Sequence, residues 1–197
     1  MAKLYFRYGA VGSAKTLNLL AVAHSYRQQG KQVIVGKPRL DQRFGVETVR
    51  SRAGLECPAD LLLDAETQLH FEAFRGFDCF LVDEAQFLSP QVVDQLRGLS
   101  IEGDLPVICY GLRTDFRTHL FTGSRRLLEV ADEISEVKTT CFRCNKKGIF
   151  NLKLIDGEPT NLGPTIELGA DEKYQPVCAR CYSRSFGGLW TGGLSGA

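Results

Sequence analysis

"YGAVGSAKTLNLL", residues 8–20, is the stretch whose reading decides the fold. The residues leading into it, "KLYFRY" (3–8), are rich in β-formers and stop at Gly9, which predicts a strand running into a loop. The residues after it predict a helix from Lys15 to about Gln29, with Leu17, Leu20, Ala21 and His24 at helical spacing and Gly30 as the stop. Between strand and helix lie Gly9, Ala10, Val11, Gly12, Ser13, Ala14, Lys15 and Thr16. They follow the phosphate-loop pattern G-x-x-x-x-G-K-[ST] except at Ala14, where the pattern has glycine. In such a loop backbone N–H groups wrap a phosphate and the helix N-terminus adds a favourable dipole. Lys15 then supplies a cation to the terminal phosphates and the Thr16 hydroxyl a ligand to Mg²⁺. Ala14 keeps its N–H, and its methyl group is tolerable if its φ is negative. A glycine-rich turn that binds nothing would share most of this pattern, so the rest of the chain carries the decision.

Working outward, "KQVIVGKP" (31–38), "FDCFLVDEAQF" (77–87) and "LPVICYGL" (105–112) are apolar runs without alternation, as expected of buried parallel strands. "SPQVVDQLRGL" (89–99) reads as a helix with Ser89 as N-cap and Pro90 at its first position. Strands alternating with helices predict an α/β domain with a parallel sheet over residues 1–139. The run "CFLVDE" ends in Asp83 and Glu84. A P-loop enzyme needs a carboxylate at the tip of a neighbouring strand for Mg²⁺, the Walker B role, and Asp83 fits it. Glu84 follows at the strand end, placed to take a proton from a nucleophile near the γ-phosphate. The bland alternative is that both acids only cap a strand.

After about Thr139 the composition changes, and a small module over 140–186 is expected, followed by a loose glycine-rich tail over 187–197. Cys141 with Cys144 and Cys178 with Cys181 form two C-x-x-C knuckles. The stretch between the knuckles exceeds the ~15–20 residues of a common zinc ribbon, yet four thiolates so paired suit a closed, structural Zn²⁺. Cys57, Cys79 and Cys109 lie in or near apolar runs and read as small buried hydrophobes.

Bulk properties set wide bounds. The 197 residues are 44% hydrophobic and 24% charged, with a formal net charge of +1, an ordinary globular balance that argues neither for nor against nucleic acid. No run approaches the ~18 apolar residues of a membrane helix. The start, "MAKLYFRYGAVG", is too short in apolar residues for a signal peptide. The expectation is a cytoplasmic protein with no membrane partner.

Taken together, "KLYFRYGAVGSAKT", "VDEAQFL" (82–88), "YGLRTDFRTHLF" (110–121) and "ELGADEKYQPVCARCY" (167–182) resemble the type II thymidine kinases over residues 1 to about 186. The resemblance implies a P-loop NTPase (RecA-like) sheet with a zinc and lasso module, and transfer of phosphate from ATP with Mg²⁺ to thymidine. It also implies a homotetramer and feedback inhibition by dTTP. On its residues, Glu84 is the implied general base, Asp83 the Mg²⁺ carboxylate, and Gln86 a neighbour in the phosphate-binding set. Asp41 and Arg43 resemble the charged pair near the phosphates and 5′-hydroxyl. Phe87, Leu112, Phe116 and Phe121 resemble the apolar walls, and Tyr174 the lasso tyrosine on the ribose. Thr165, Glu167 and Gly169 lie where lasso backbone groups read the base edge. Val11 stands where the family often has methionine, and Asn151 where some members have threonine near the thymine. "DEAQ" also resembles the DEA-x box of helicases, which would make the chain a nucleic-acid-stimulated ATPase. The near-neutral charge and the single ATPase core count against that reading. A zinc scaffold with a vestigial P-loop would rest on Ala14 alone.

Overall fold

The computed structural model describes residues 1–165 and 173–190. Its elements begin with β1 (Leu4–Tyr8), α1 (Lys15–Gln28) and β2 (Val33–Pro38). An antiparallel hairpin follows, β3 (Thr48–Arg50) with β4 (Glu56–Pro58). Then come β5 (Leu61–Leu63), β6 (Cys79–Val82), α2 (Pro90–Glu102), β7 (Val107–Gly111), α3 (Thr122–Val130) and β8 (Glu133–Glu136). Six strands form one sheet in the order β5-β2-β6-β7-β1-β8, and every pairing in it is parallel. The four strands expected from their unalternating apolar character are its contiguous centre. Strands covered on both faces need apolar residues at every position, and β6 and β7 are buried throughout.

The two faces divide by the strand period of two. Phe80 and Val82 point into a core closed by Val92, Val93, Leu96 and Leu99 of α2 and Leu127 of α3. Cys79 and Leu81 point the other way, with Ile108 and Tyr110, onto Leu19, Leu20 and Ala23 of α1. The buried stripe of α1 therefore differs from the one expected: Leu20 is in it, but Ala21 and His24 face solvent and Leu17 is half-buried. The sheet, not the helix pattern alone, chooses which stripe is covered. Helix α2 starts as its sequence requires, with the Ser89 hydroxyl accepting from the Val92 N–H at 3.3 Å and Pro90 in the first turn.

The remaining chain makes β9 (Thr139–Thr140) and β10 (Lys147–Gly148), then β11 (Phe150–Ile155) between β12 (Glu158–Pro159) and β13 (Tyr174–Val177), and α4 (Ala179–Ser185). Leu152, Val177 and Tyr182 form its small core with Cys141 and Cys178. The beginning of the glycine-rich end is less loose than its composition suggests. The Trp190 ring stacks on Tyr182 at 5.4 Å and meets Phe150 at 5.2 Å, while residues 191–197 of the expected loose tail lie outside the described residues. Among the described residues no helix is long and apolar enough to cross a membrane.

Candidate active site

Parallel α/β sheets bind ligands beyond the carboxyl ends of their strands, and the candidate residues gather there. The phosphate loop leaves β1 beside the end of β7, held by a hydrogen bond from the Gly9 N–H to the Gly111 carbonyl at 3.2 Å. A Cβ on Gly9 would lie 2.4 Å from Ser13 Oγ and 2.5 Å from the Val137 carbonyl oxygen, so the loop closes this tightly only with glycine. Ala14 does not have the negative φ its methyl group calls for. It sits at φ 62° and ψ 30°, left-handed, directly before α1. The loop's turn into the helix fixes that conformation whatever residue occupies it, and an L-residue there carries a cost of about 1–2 kcal/mol.

Lys15 is buried, its Nζ donating to the carbonyls of Gly9 at 3.2 Å and Ala10 at 2.9 Å. Burial pushes its amine down to about 8, against the pull of Glu84 and Asp83. Thr16 Oγ1 donates to Asp83 Oδ2 at 2.9 Å, so helix start and strand tip meet. Burial and then the neighbouring Glu84 charge raise the Asp83 carboxyl above the usual range. A hydroxyl and a carboxylate converging beside a phosphate loop are the hard-oxygen donors Mg²⁺ prefers.

Glu84 is also left-handed, at φ 50°. Its Oε1 accepts from Arg43 Nη2 at 2.5 Å and its Oε2 from Gln86 Nε2 at 2.6 Å. Gln86 in turn accepts from the Leu112 N–H at 2.9 Å, so it fixes Glu84 to the end of β7. Arg43 Nε donates to Asp41 Oδ1 at 2.7 Å. Burial would push the Arg43 guanidinium down, but Glu84 and Asp41 outweigh it and the shift is upward. Burial likewise opposes the Asp41 carboxylate, and the Arg43 hydrogen bond and charge hold it below its ordinary value. The loop carrying this pair is tied to the sheet by Lys37, whose buried Nζ donates to the carbonyls of Gly45 and Thr48, both at 2.8 Å.

Lys15, Thr16, Arg43, Glu84 and Gln86 face one cavity of about 300 Å³. Val11, Gly12, Ala14, Lys15 and Thr16 form its loop side, with Arg43, Glu84 and Gln86 beside them. Its apolar wall is Phe87, Leu112, Phe116, Phe121 and Tyr174, with Asn151 and Thr165 at the module side. Phe87 and Phe121 meet edge to face at 5.7 Å, and Phe116 lies 6.3 Å from Tyr174. Gly9, Ala10, Ser13, Asp41 and Asp83 do not line the cavity themselves; they touch residues that do, Gly9, Ala10 and Ser13 through Lys15, Asp83 through Thr16 and Asp41 through Arg43. Asn151 holds the loop to the module, accepting from the Val11 N–H at 2.8 Å and donating to the Thr114 carbonyl at 3.0 Å. Glu167 and Gly169 lie outside the described residues. Phe44, Arg50, Ser51, Arg52 and Ala53 also line the cavity, as do Leu17 and Asp115. Nothing in the sequence of the 48–58 hairpin marks it for this place except the turn residues "SRAG" (51–54).

Away from the cavity, the sulfurs of Cys141, Cys144, Cys178 and Cys181 lie within 4.8 Å of one another. The Cys144–Cys178 and Cys144–Cys181 separations are 3.6 and 3.8 Å. Four Zn–S bonds of ~2.3 Å in a tetrahedron put sulfurs ~3.8 Å apart, so the donor set fits zinc. Its four positions are all protein thiols, which suits a structural ion. Cys79 and Cys109 are buried in the sheet, as expected, and Cys57 is half-buried.

Comparison with known proteins agrees with this geometry. The sequence pattern of the family described as thymidine kinase matches residues 2–182. The thymidine kinase of Lactiplantibacillus plantarum is 45% identical over 186 residues, covering 92% of this chain and 96% of that one. That of Enterococcus faecalis is 42% identical over 188 residues, covering 92% and 95%. That of Lactococcus lactis is 41% identical over 186 residues, covering 92% and 97%. Among solved structures, the Pif1 helicase from Candida albicans aligns with 69% of this chain and 36% of its own at a TM-score of 0.44 and 14% identity, too slight a likeness to bear on function. With a family pattern running nearly from end to end and relatives of matching length, this chain belongs to the thymidine kinase family.

Proposed function

We propose that the protein transfers the γ-phosphate of ATP to the 5′-hydroxyl of thymidine, giving dTMP. The observation that carries this reading is the shared cavity: the phosphate loop with Lys15 on one side, an aromatic wall on the other, and the Glu84 carboxylate between them. The backbone N–H groups of the loop cradle the phosphates, and Lys15 turns from the loop carbonyls to the transferring phosphoryl. Thr16 and Asp83 would hold Mg²⁺, which neutralises charge on the phosphates. Phe87, Phe116, Phe121 and Tyr174 enclose the flat, largely apolar base and ribose. Asn151 and Thr165 supply polar contacts at its edge. Glu84, oriented by Arg43 and Gln86, accepts the proton of the 5′-hydroxyl as the new P–O bond forms. Most of the acceleration comes from holding hydroxyl and phosphoryl in line, as positioning dominates phosphoryl transfer.

The same reading includes a cytoplasmic homotetramer, feedback inhibition by dTTP bound across the phosphate and nucleoside positions, and deoxyuridine as a second acceptor. Transfer of labelled phosphate from ATP to a panel of deoxynucleosides tests it. Thymidine should be the preferred acceptor, and dTTP should suppress the reaction. ATP hydrolysis stimulated by DNA or RNA, with no phosphorylated nucleoside, would overturn it. Light scattering of the purified protein tests the tetramer.

A further inference from the structure

The phosphate side of the cavity has a cation that neither the motif nor the family resemblance singles out. Arg52 sits at the tip of the β3–β4 hairpin and lines the cavity opposite the phosphate loop. A methyl group built on Gly12 would lie 3.9 Å from Arg52 Nη1. Gly12 belongs to the part of the loop whose N–H groups wrap phosphate. The neighbouring charges also register on Lys15: burial is the main cause of its lowered pKa, and the charge of Arg52 adds to it.

The hairpin is anchored as a support for such a group needs to be. Val49 is buried against Leu19, Leu20 and Ala23 of α1, the helix that starts at the phosphate loop. Lys37 holds the hairpin's approach through Thr48, and the Ala59 N–H donates to the Glu47 carbonyl at 2.9 Å. The tip is closed by the Ser51 N–H to the Leu55 carbonyl at 2.8 Å and the Gly54 N–H to the Ser51 carbonyl at 3.0 Å.

We propose that Arg52 is a catalytic arginine delivered in cis by the hairpin, binding the oxygens of the transferring phosphoryl group and stabilising the charge that spreads over them. No bond to Arg52 forms or breaks. Its guanidinium donates hydrogen bonds while the γ-phosphoryl leaves the β-phosphate oxygen for the acceptor oxygen. A guanidinium suits this because its fixed fork of donors matches planar, in-flight phosphoryl oxygens better than a point charge. The inference rests on the phosphoryl-transfer reading above.

The test compares the unaltered protein with Arg52→Ala and Arg52→Lys in two measurements. One is steady-state thymidine phosphorylation. The other is the affinity for fluorescent ADP with and without aluminium fluoride, which mimics the transferring phosphoryl. For Arg52→Ala, kcat should fall by about 10³-fold, the range of arginine fingers, with the KM for thymidine little changed. Aluminium fluoride should tighten ADP binding to the unaltered protein and not to Arg52→Ala. Arg52→Lys should recover part of both effects. The idea fails if kcat for Arg52→Ala stays within about threefold of normal, or if only the KM for ATP rises, since that would make Arg52 a ground-state contact. It fails equally if the melting temperature drops along with every kinetic parameter and Arg52→Lys recovers nothing. An unaltered protein that phosphorylates no thymidine would remove the proposed function, yet the aluminium fluoride comparison would still decide Arg52, because it needs only the nucleotide phosphates.

Discussion

Ala14→Gly should make the protein more stable, against the usual direction for a helix-terminal alanine. At φ 62° the Cβ of Ala14 crowds the backbone, and left-handed geometry costs an L-residue about 1–2 kcal/mol. Glycine removes that cost, but it frees the unfolded chain and loses about 0.4–1 kcal/mol in return. The difference favours glycine by roughly 0.5–1 kcal/mol. For a chain of 197 residues this is a rise in melting temperature of about 1–4 °C. Calorimetry on the ligand-free, zinc-loaded protein reads it directly. Ala14→Val gives the opposite sign, since a β-branched side chain suffers more at positive φ. The backbone N–H is unchanged in both, so ATP binding by Ala14→Gly should match or exceed that of the parent. A lower melting temperature for Ala14→Gly would refute the reasoning, because it would mean the alanine methyl is not under strain in the native loop.

Glu84→Gln keeps size and hydrogen bonding but cannot take a proton, so kcat for thymidine should fall by about 10²–10⁴-fold with both substrates still bound. Lost ATP binding would instead make Glu84 a metal or structural residue. Lys15 supplies a pH signature. Its folded pKa of about 8 lies below the unfolded value of 10.5, so the unfolded chain binds more protons between those pH values. Stability of the ligand-free protein should therefore rise with pH through that window as far as this group is concerned. A bound triphosphate raises the Lys15 pKa again, so at pH 8.5 nucleotide binding should take up as much as about 0.7 proton per site. Calorimetry in two buffers of different ionisation enthalpy measures this, and proton release would contradict it. Metal analysis should return one zinc per chain. Cys144→Ser should lower that content and the melting temperature, while Cys57→Ser leaves the zinc in place.

The central sheet was readable because strands β2, β6 and β7 are buried on both faces and need apolar residues at nearly every position. β5 and β8 were not readable, for opposite reasons. Leu61–Leu63 is too short to show a period, and Glu133–Glu136 lies at the sheet edge with half of its residues exposed. At the site, the phosphate loop and the Asp83–Glu84 pair announce themselves because their chemistry needs fixed residue types at short spacing. The conformation of Ala14 could not be read, since its φ is imposed by the loop's exit into α1. The pairing of Arg43 with Glu84 and the arrival of Arg52 at Gly12 also stayed hidden. Both join segments far apart in sequence, Arg43 from the loop before the hairpin and Arg52 from the hairpin itself, and no motif marks either meeting. Asn151 lines the cavity on the nucleoside side, and its amide also bonds the Val11 and Thr114 backbone, a second task that its sequence context does not show. Those bonds set the position of the loop against the cysteine-bearing module.

The place of β1 inside the sheet has a consequence for how the protein is born. β1 is made before both of its partners, β7 and β8, with Leu4 opposite Val107 and Tyr5 opposite Glu133. At about 5–20 residues per second, the first of those partners follows on the order of 5–20 s later. Until then the nascent chain carries an apolar strand with both edges open, in the span when unpaired edges are most prone to aggregate. The phosphate loop has no fixed shape in that interval either, because the Gly9 N–H still lacks the Gly111 carbonyl. ATP in the surrounding solution therefore cannot act as an early folding ligand. On the proposed function it can stabilise only a chain that has been made past β7, so until then the nascent protein depends on the speed of translation and on whatever shields β1.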